Sequence, residues 1–316
     1  MKVTEHIQAA KNTLISFEIL PPLKGKSIQS IFDTLDELKE FNPPYINVTY
    51  HGSEYGLKKN PDGEVVRTVV RKRPGTVGIC AAIMNRYRVE AVPHIICGGF
   101  TVEETEDALI DLHFLGIKNI LALRGDKDKL ENNFIPTPGG HSHAIDLLKQ
   151  VKCMNRGRYL EEDLHNSLPT DFCVGVAGYP EKHAESPNME ADLQTLKSKV
   201  DAGADYIVTQ LFFDNQKFFA FEKACRAMGI TVPIIPGIKP LTLAKHLHIL
   251  PGIFNVEIPQ DLVKAVKACK TEEAVKQVGV EWAIQQCREL KTFGVPVLHF
   301  YTMSNAAGVK AIVSGL

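Results

Sequence analysis

Short β-branched runs recur along this chain at Leu14–Leu20, Tyr45–Tyr50, Val89–Cys97, Asn119–Leu123, Phe172–Ala177, Tyr206–Phe213, Val232–Ile238 and Val297–Tyr301. Between most of them lies a stretch of helical period. Thr101-Val-Glu-Glu104 has capping-box spacing, and Leu109, Leu112 and Leu115 follow it until Gly116 ends the helix. The stretch Asp192–Ala202 carries Leu193, Leu196 and Val200 on one face and stops at Gly203; Phe218–Met228 repeats the plan and stops at Gly229. Strand, helix, glycine, strand is the punctuation of βα units. Eight strand-like runs in 316 residues predict a single α/β (β/α)8 barrel over 1–316. The rival is a doubly wound open sheet. Thr76–Tyr87 reads as strand or helix by pattern; its length, and the need to connect two parallel strands, favour helix. Lys58–Pro74, basic and turn-rich, and Cys153–Pro169, polar, read as two surface insertions.

Charge narrows the function classes. With 36 Lys and Arg against 37 Asp and Glu, the formal net charge is -1, so no field favours nucleic acid or an anionic membrane. No run of 18 apolar residues occurs and the first residues lack an apolar signal core, so a soluble, cytoplasmic protein is expected. Seven cysteines without a CxxC pair fit a reducing compartment. The sequon at Asn47-Val48-Thr49 lies inside an apolar run and reads as chance.

A barrel makes a sharper demand than a sheet: its functional side chains gather at the C-terminal ends of the strands. Glu18, Thr49, His94, Arg124-Gly125-Asp126, Tyr179, Gln210 and Lys239 all fall there. Lys24-Gly25-Lys26-Ser27 imitates a phosphate loop, but Leu20 stands where the first glycine belongs; Ser27 as a helix N-cap accounts for it. No G-x-G-x-x-G follows a strand, which argues against a Rossmann unit and the open sheet alike. His141/His143, His246/His248 and His94/Cys97 lack the companions of a metal site.

Glu18 is the most informative residue. Alternation sends it to the face opposite Phe17 and Ile19, the interior of a barrel, where desolvation favours a carboxyl that keeps its proton. A carboxylate neutralised by Lys239 or another internal cation is the equal alternative. Arg124-Gly125-Asp126 offers a cation and a carboxylate around a glycine that lets a ligand approach the backbone. Gln210 both donates and accepts, which suits the edge of a heterocycle.

Taken in order, Ser16-Phe-Glu-Ile-Leu-Pro-Pro22, Asn47-Val-Thr-Tyr50, Val92-Pro-His-Ile95, Ala122-Leu-Arg-Gly-Asp126, Ala177-Gly-Tyr-Pro-Glu-Lys-His183, Lys199-Val-Asp-Ala-Gly-Ala204, Thr209-Gln-Leu-Phe-Phe-Asp214, Ile234-Ile-Pro-Gly-Ile238 and Leu298-His-Phe-Tyr-Thr302 resemble the methylenetetrahydrofolate reductase family, bacterial single-barrel type. The resemblance implies FAD held without a Rossmann fold. It implies ping-pong reduction of 5,10-methylenetetrahydrofolate to 5-methyltetrahydrofolate by NADH or NADPH, with NADH the expectation. It further implies that Glu18 is the general acid and Asp126 the carboxylate near flavin and pterin. Gln210 and His246 would face the substrate. Thr49, Tyr50, His94, Arg124, Gly125, Asp126, His143, Ala144, Tyr179, His183, Asp192, Thr195, Ser198 and Lys199 would lie along the cofactors, with Arg124 and Lys199 for pyrophosphate charge and Asp192 for ribose hydroxyls.

Relatives of this kind associate, so a homo-oligomer is expected. Two departures stand out: Ser304-Asn305 replaces an Arg that some relatives use toward the folate tail, and His246 replaces a polar amide. Other functions weighed are another flavin barrel such as a proline dehydrogenase, and a flavin- or folate-binding protein without turnover.

Overall fold

The computed structural model describes residues 1–316 apart from Ser53, 128–130, Asn132 and 304–305. The chain opens with α1 (Val3–Ala9), β1 (Leu14–Ile19), α2 (Gln29–Leu38), β2 (Tyr45–Val48), β3 (Glu54–Lys59), β4 (Val65–Val70), α3 (Thr76–Tyr87), β5 (Glu90–Ile96), α4 (Val102–Phe114) and β6 (Asn119–Leu123). It continues with α5 (Ala144–Met154), β7 (Cys173–Gly178), α6 (Met189–Asp201), β8 (Tyr206–Leu211), α7 (Asn215–Ala227) and β9 (Ile234–Ile238). The last elements are α8 (His246–Phe254), α9 (Gln260–Ala268), α10 (Glu272–Phe293), β10 (Val297–Tyr301) and α11 (Ala306–Ser314).

All eight expected runs form strands, and they close into one parallel barrel in the order β1-β10-β9-β8-β7-β6-β5-β2. The open-sheet rival is excluded. Thr76–Tyr87 is the helix α3. Thr101 caps α4 through the expected reciprocal box with Glu104. The N-cap of α2 is Ile28 and not the expected Ser27, whose Oγ accepts the Gln29 amide at 3.0 Å from one residue upstream.

Alternation along the strands sorts two cores. Phe17, Ile46, Ile95, Ile120, Val174, Ile207 and Leu298 face outward and pack under the helices. Tyr45, Val92, Leu121, Cys173, Tyr206, Val208, Ile235 and Val297 fill the interior, and Val3 of α1 joins them. The Val3 amide donates to Asn119 Oδ1 at 2.7 Å, which fixes α1 across the N-terminal end of the barrel. That end is stoppered with apolar side chains, so polar groups are left to the other end.

A third cluster, including Leu211, Phe213, Leu241, Leu262, Val266 and Val275, packs α8, α9 and α10 beside the C-terminal mouth. Gly279 of α10 lies so close to the turn after β9 that a Cβ there would sit 1.7 Å from the Leu241 carbonyl oxygen. Only glycine permits that approach.

One expectation needs correcting. The basic excursion over Lys58–Pro74 is not all irregular: β3 and β4 pair antiparallel from Glu54↔Val70 to Lys59↔Val65. Val65, Val66, Thr68 and Val70 supply β-branched residues, and Pro61-Asp62-Gly63 makes the turn, with Gly63 at φ +91 and Asn60 N donating to Glu64 O at 2.8 Å. The charges between these residues hide the strand signal. The other insertion, beyond the end of α5, contains no regular element before β7.

Candidate active site

Glu18 sits in the barrel mouth, 9% exposed. Its backbone register puts it level with Tyr301 of β10 and Asn47 of β2. Its Oε2 lies 3.5 Å from His94 Nε2 and 3.7 Å from His299 Nε2. Burial pushes His94 down to about 4, so this ring is neutral near pH 7 and makes no ion pair with Glu18. Asn47 Nδ2 approaches His94 Nε2 at 3.3 Å, and Ser16 Oγ holds His299 Nδ1 at 2.8 Å. Thr302 donates its hydroxyl to the Glu18 carbonyl at 2.6 Å, which fixes the strand end beneath the carboxyl. Three side-chain atoms on this side are buried without a partner: Asn47 Oδ1, Thr49 Oγ1 and His299 Nε2.

The opposite wall, built from the ends of β6 and β7 and the start of α6, is densely paired. Arg124 makes a two-pronged ion pair with Glu185, one prong at 2.9 Å, and its guanidinium lies 5.0 Å from the Phe134 ring centre. Gly125 between Arg124 and Asp126 has φ +89, and a Cβ there would press on Ile96 at 3.3 Å, so a side chain is excluded twice over. Asp192, 8% exposed, accepts from the His183 amide at 3.2 Å and Ser186 Oγ at 2.7 Å. Lys199 is 9% exposed and donates to Ala177 O at 2.8 Å. Burial pushes its ammonium down to about 8, against the pull of Asp192. Tyr179 meets His183 edge-on at 4.7 Å, and burial raises its phenol to about 12.

The remaining candidates spread along the rim. Tyr50 packs on Phe100 at 5.1 Å and lines, with Arg71, His94 and Thr105, a cavity of about 100 Å³ beside His94. Gln210 turns Oε1 back onto the Leu211 amide at 2.9 Å, where the β8–β9 register slips between Val208 and Leu211. Such bulges re-aim side chains at barrel rims. Asp126 is exposed but close enough to be felt by Arg124 and Tyr179. His143 and Ala144 form the start of α5, with His143 exposed. Thr195 and Ser198 each return their hydroxyl to their own helix, to Ala191 O and Gln194 O. His246 opens α8, and its Nδ1 accepts from the Thr242 amide at 3.3 Å. Ser304 and Asn305 lie outside the described residues. Among the described residues no group of three His, Cys, Asp or Glu gathers as a metal site.

His299, Asn47, Ser16, Tyr301 and Glu185 join the site without being marked as site residues by the sequence motifs. Each of the first four sits in an apolar strand, and Glu185 finds Arg124 across 61 positions. The alternation that singled out Glu18 also selects Ser16 in β1 and His299 and Tyr301 in β10.

A family model described as methylenetetrahydrofolate reductase matches residues 2–316. The 5,10-methylenetetrahydrofolate reductase of Pectobacterium carotovorum subsp. carotovorum is 32% identical over 295 residues, covering 92% of this chain and 86% of that one. The chain belongs to the methylenetetrahydrofolate reductase family. A probable methylenetetrahydrofolate reductase (NADH) of Oryza sativa subsp. japonica is 33% identical over 331 residues, spanning 100% of this chain and 50% of the relative. The chain thus spans about half the length of the plant relatives it matches. Among solved structures, an uncharacterized Clostridium thermocellum protein that binds two copies of 5-methyl-5,6,7,8-tetrahydrofolic acid aligns over 99% of both chains, with TM-score 0.55 and 13% identity. At that identity the likeness concerns the fold alone.

Proposed function

We propose that the chain reduces 5,10-methylenetetrahydrofolate to 5-methyltetrahydrofolate, with hydride from NADH or NADPH delivered by way of FAD in two successive half-reactions. The observation that carries this reading is the buried carboxyl of Glu18 at the barrel mouth, beside a neutral His94.

The residues present fit a flavin dinucleotide. Lys199 and Arg124 are cations suited to a pyrophosphate, Asp192 offers acceptor oxygens to ribose hydroxyls, and the side-chain-free Gly125 lets a ring approach the backbone. The unpartnered Thr49 Oγ1 and Asn47 Oδ1 are further groups whose hydrogen-bonding capacity a ligand would satisfy. A flavin held by these residues would supply two-electron chemistry between nicotinamide and folate.

The chain's own residues do the rest. The methylene bridge must open to an iminium before it can take hydride, and opening needs a proton on N10; Glu18 supplies it. Asp126 places a negative charge near the rim, which favours a cationic iminium electrostatically. Gln210, with its amide nitrogen left over from the Leu211 contact, donates to the pterin edge.

The test is the spectrum of the purified protein. It should carry flavin bands that bleach with NADH in the absence of oxygen and return when methylenetetrahydrofolate is added. Protein that takes up no FAD, or whose bleached bands do not return, would overturn the reading.

A further inference from the structure

Lys239 plays no part in the mechanism above, yet its position is unusual. It is the first residue after β9. The register Gly237↔His299 and Ile238↔Phe300 makes it level with Tyr301, which in turn is level with Glu18. Alternation puts it on the same face as Ile235, inside the barrel. Across the mouth, Lys239 and Glu18 feel each other's charge, but no ion pair within 4.0 Å joins them. Among the described residues, no acceptor lies within hydrogen-bond distance of the ammonium. Burial works against its charged form, and only Glu18 works in favour of it.

An ammonium has three protons to donate, and withdrawing it partly from water without an acceptor costs free energy. The turn that carries it is not free to swing away. Gly279 of α10 is pressed against the Leu241 carbonyl, and Leu241 is 1% exposed in the apolar cluster of α8–α10. Next to Lys239 stands His246, whose ring is lowered by burial and by the two neighbouring cations Lys239 and Lys245. The first turn of α8 holds no acidic residue. The corner between β9 and α8 is therefore cationic, and among the described residues Glu18 is the one carboxylate whose charge reaches Lys239.

We propose that Lys239 is an anion anchor of the substrate subsite, taking a carboxylate of the glutamyl part of the folate. This rests on the folate reading above. A carboxylate gains a charge-assisted hydrogen bond there, and the ammonium gains the acceptor that the protein withholds. A nicotinamide nucleotide is the competing anionic ligand.

The experiment uses the whole flavin-loaded protein, Lys239→Met and Lys239→Arg. Two folate ligands are compared, 5-methyltetrahydrofolate and the same pteridine ending at the benzoate, 5-methyltetrahydropteroate. Binding is read by calorimetry, and KM and kcat are read with the corresponding methylene substrates. Lys239→Met should weaken 5-methyltetrahydrofolate about tenfold, raise KM by a similar factor and leave the pteroate unaffected. Lys239→Arg should restore most of the loss.

Equal weakening of both ligands would overturn the proposal, because the contact would then be to the ring or to the fold. An effect on KM for NADH in place of folate would overturn it as well, as would a Lys239→Met protein indistinguishable from wild type. Wild-type protein that binds neither folate and turns over neither substrate would instead count against the function proposed above. Should Lys239→Met not fold, Lys239→Gln in the same comparison carries the test.

Discussion

The two walls of the barrel mouth are built on opposite principles. On the β6–β7–α6 side nearly every charged group has a partner: Arg124 with Glu185, Asp192 with His183 and Ser186, Lys199 with Ala177. On the β1–β2–β5–β10 side Glu18 stands 3.5 Å from a neutral histidine, and Asn47, Thr49 and His299 each keep a buried polar atom unpaired. A paired network costs little to hold rigid and suits the holding of a ligand. Unpaired buried groups cost stability and are retained where a reacting group will meet them. The difference fits the proposed roles, with ligand holding on one wall and proton chemistry on the other.

The largest effect should come from the sparse wall. Glu18→Gln keeps the shape and removes the transferable proton, so steady-state folate reduction should fall by about 10²–10⁴-fold. A loss below tenfold would break the assignment.

The paired wall should separate binding from stability. If Lys199 serves the pyrophosphate as proposed, Lys199→Met should weaken FAD by about tenfold or more in fluorescence titration of apoprotein. The lysine's pKa is 10.5 ordinarily and about 8 here, so below pH 8 its burial opposes folding by about 3 kcal/mol. That burden lifts as pH rises from 8 toward 10.5, and Met removes it at neutral pH. Apoprotein stability should therefore hold or rise. A simultaneous loss of FAD affinity and stability would show that Lys199 is merely structural.

His94 gives the sparse wall its own pH signature. Its folded value, about 4, lies below the ordinary 6.5, so between these the unfolded chain binds a proton that the folded chain refuses. Stability should drop as pH falls from about 6.5 toward 4, by about 3 kcal/mol from this ring. In denaturant melts across that window, His94→Asn should flatten the slope. An unchanged slope would mean that other groups dominate.

How much of this was legible in the sequence follows from the same contrast. The eight strands and the interior position of Glu18 came from local alternation, because burial on both faces of a parallel strand leaves a short apolar run interrupted by one informative charge. The β3–β4 hairpin is not legible because Lys58, Lys59, Arg71, Lys72 and Arg73 mask its β-branched residues. The partners of Glu18 are hidden for another reason. His299 lies in Val-Leu-His-Phe-Tyr, which reads as core, and only closure of β1 on β10 brings it to Ser16 and Glu18. Arg124 is legible as a cation at a strand end, but its pairing with Glu185 is long-range and carries no local signal.

A smaller effect tests the scaffold under the sparse wall. Gly237 leaves room for the Tyr301 ring, whose hydroxyl donates to Thr209 O at 2.6 Å; a Cβ would sit 2.3 Å from that oxygen and 2.5 Å from the ring. Gly237→Ala should cost about 1–3 kcal/mol in thermal or denaturant unfolding. Wild-type stability would mean that the strand relaxes freely at this point.

The division of labour between the walls is tested most directly by following the flavin absorbance of Glu18→Gln through each half-reaction separately, by rapid mixing without oxygen. Bleaching by NADH should proceed within about twofold of wild type, because the holding wall is intact, while reoxidation by methylenetetrahydrofolate should be slowed by about 10²-fold or more. Equal slowing of both half-reactions would contradict the account and make Glu18 a structural residue.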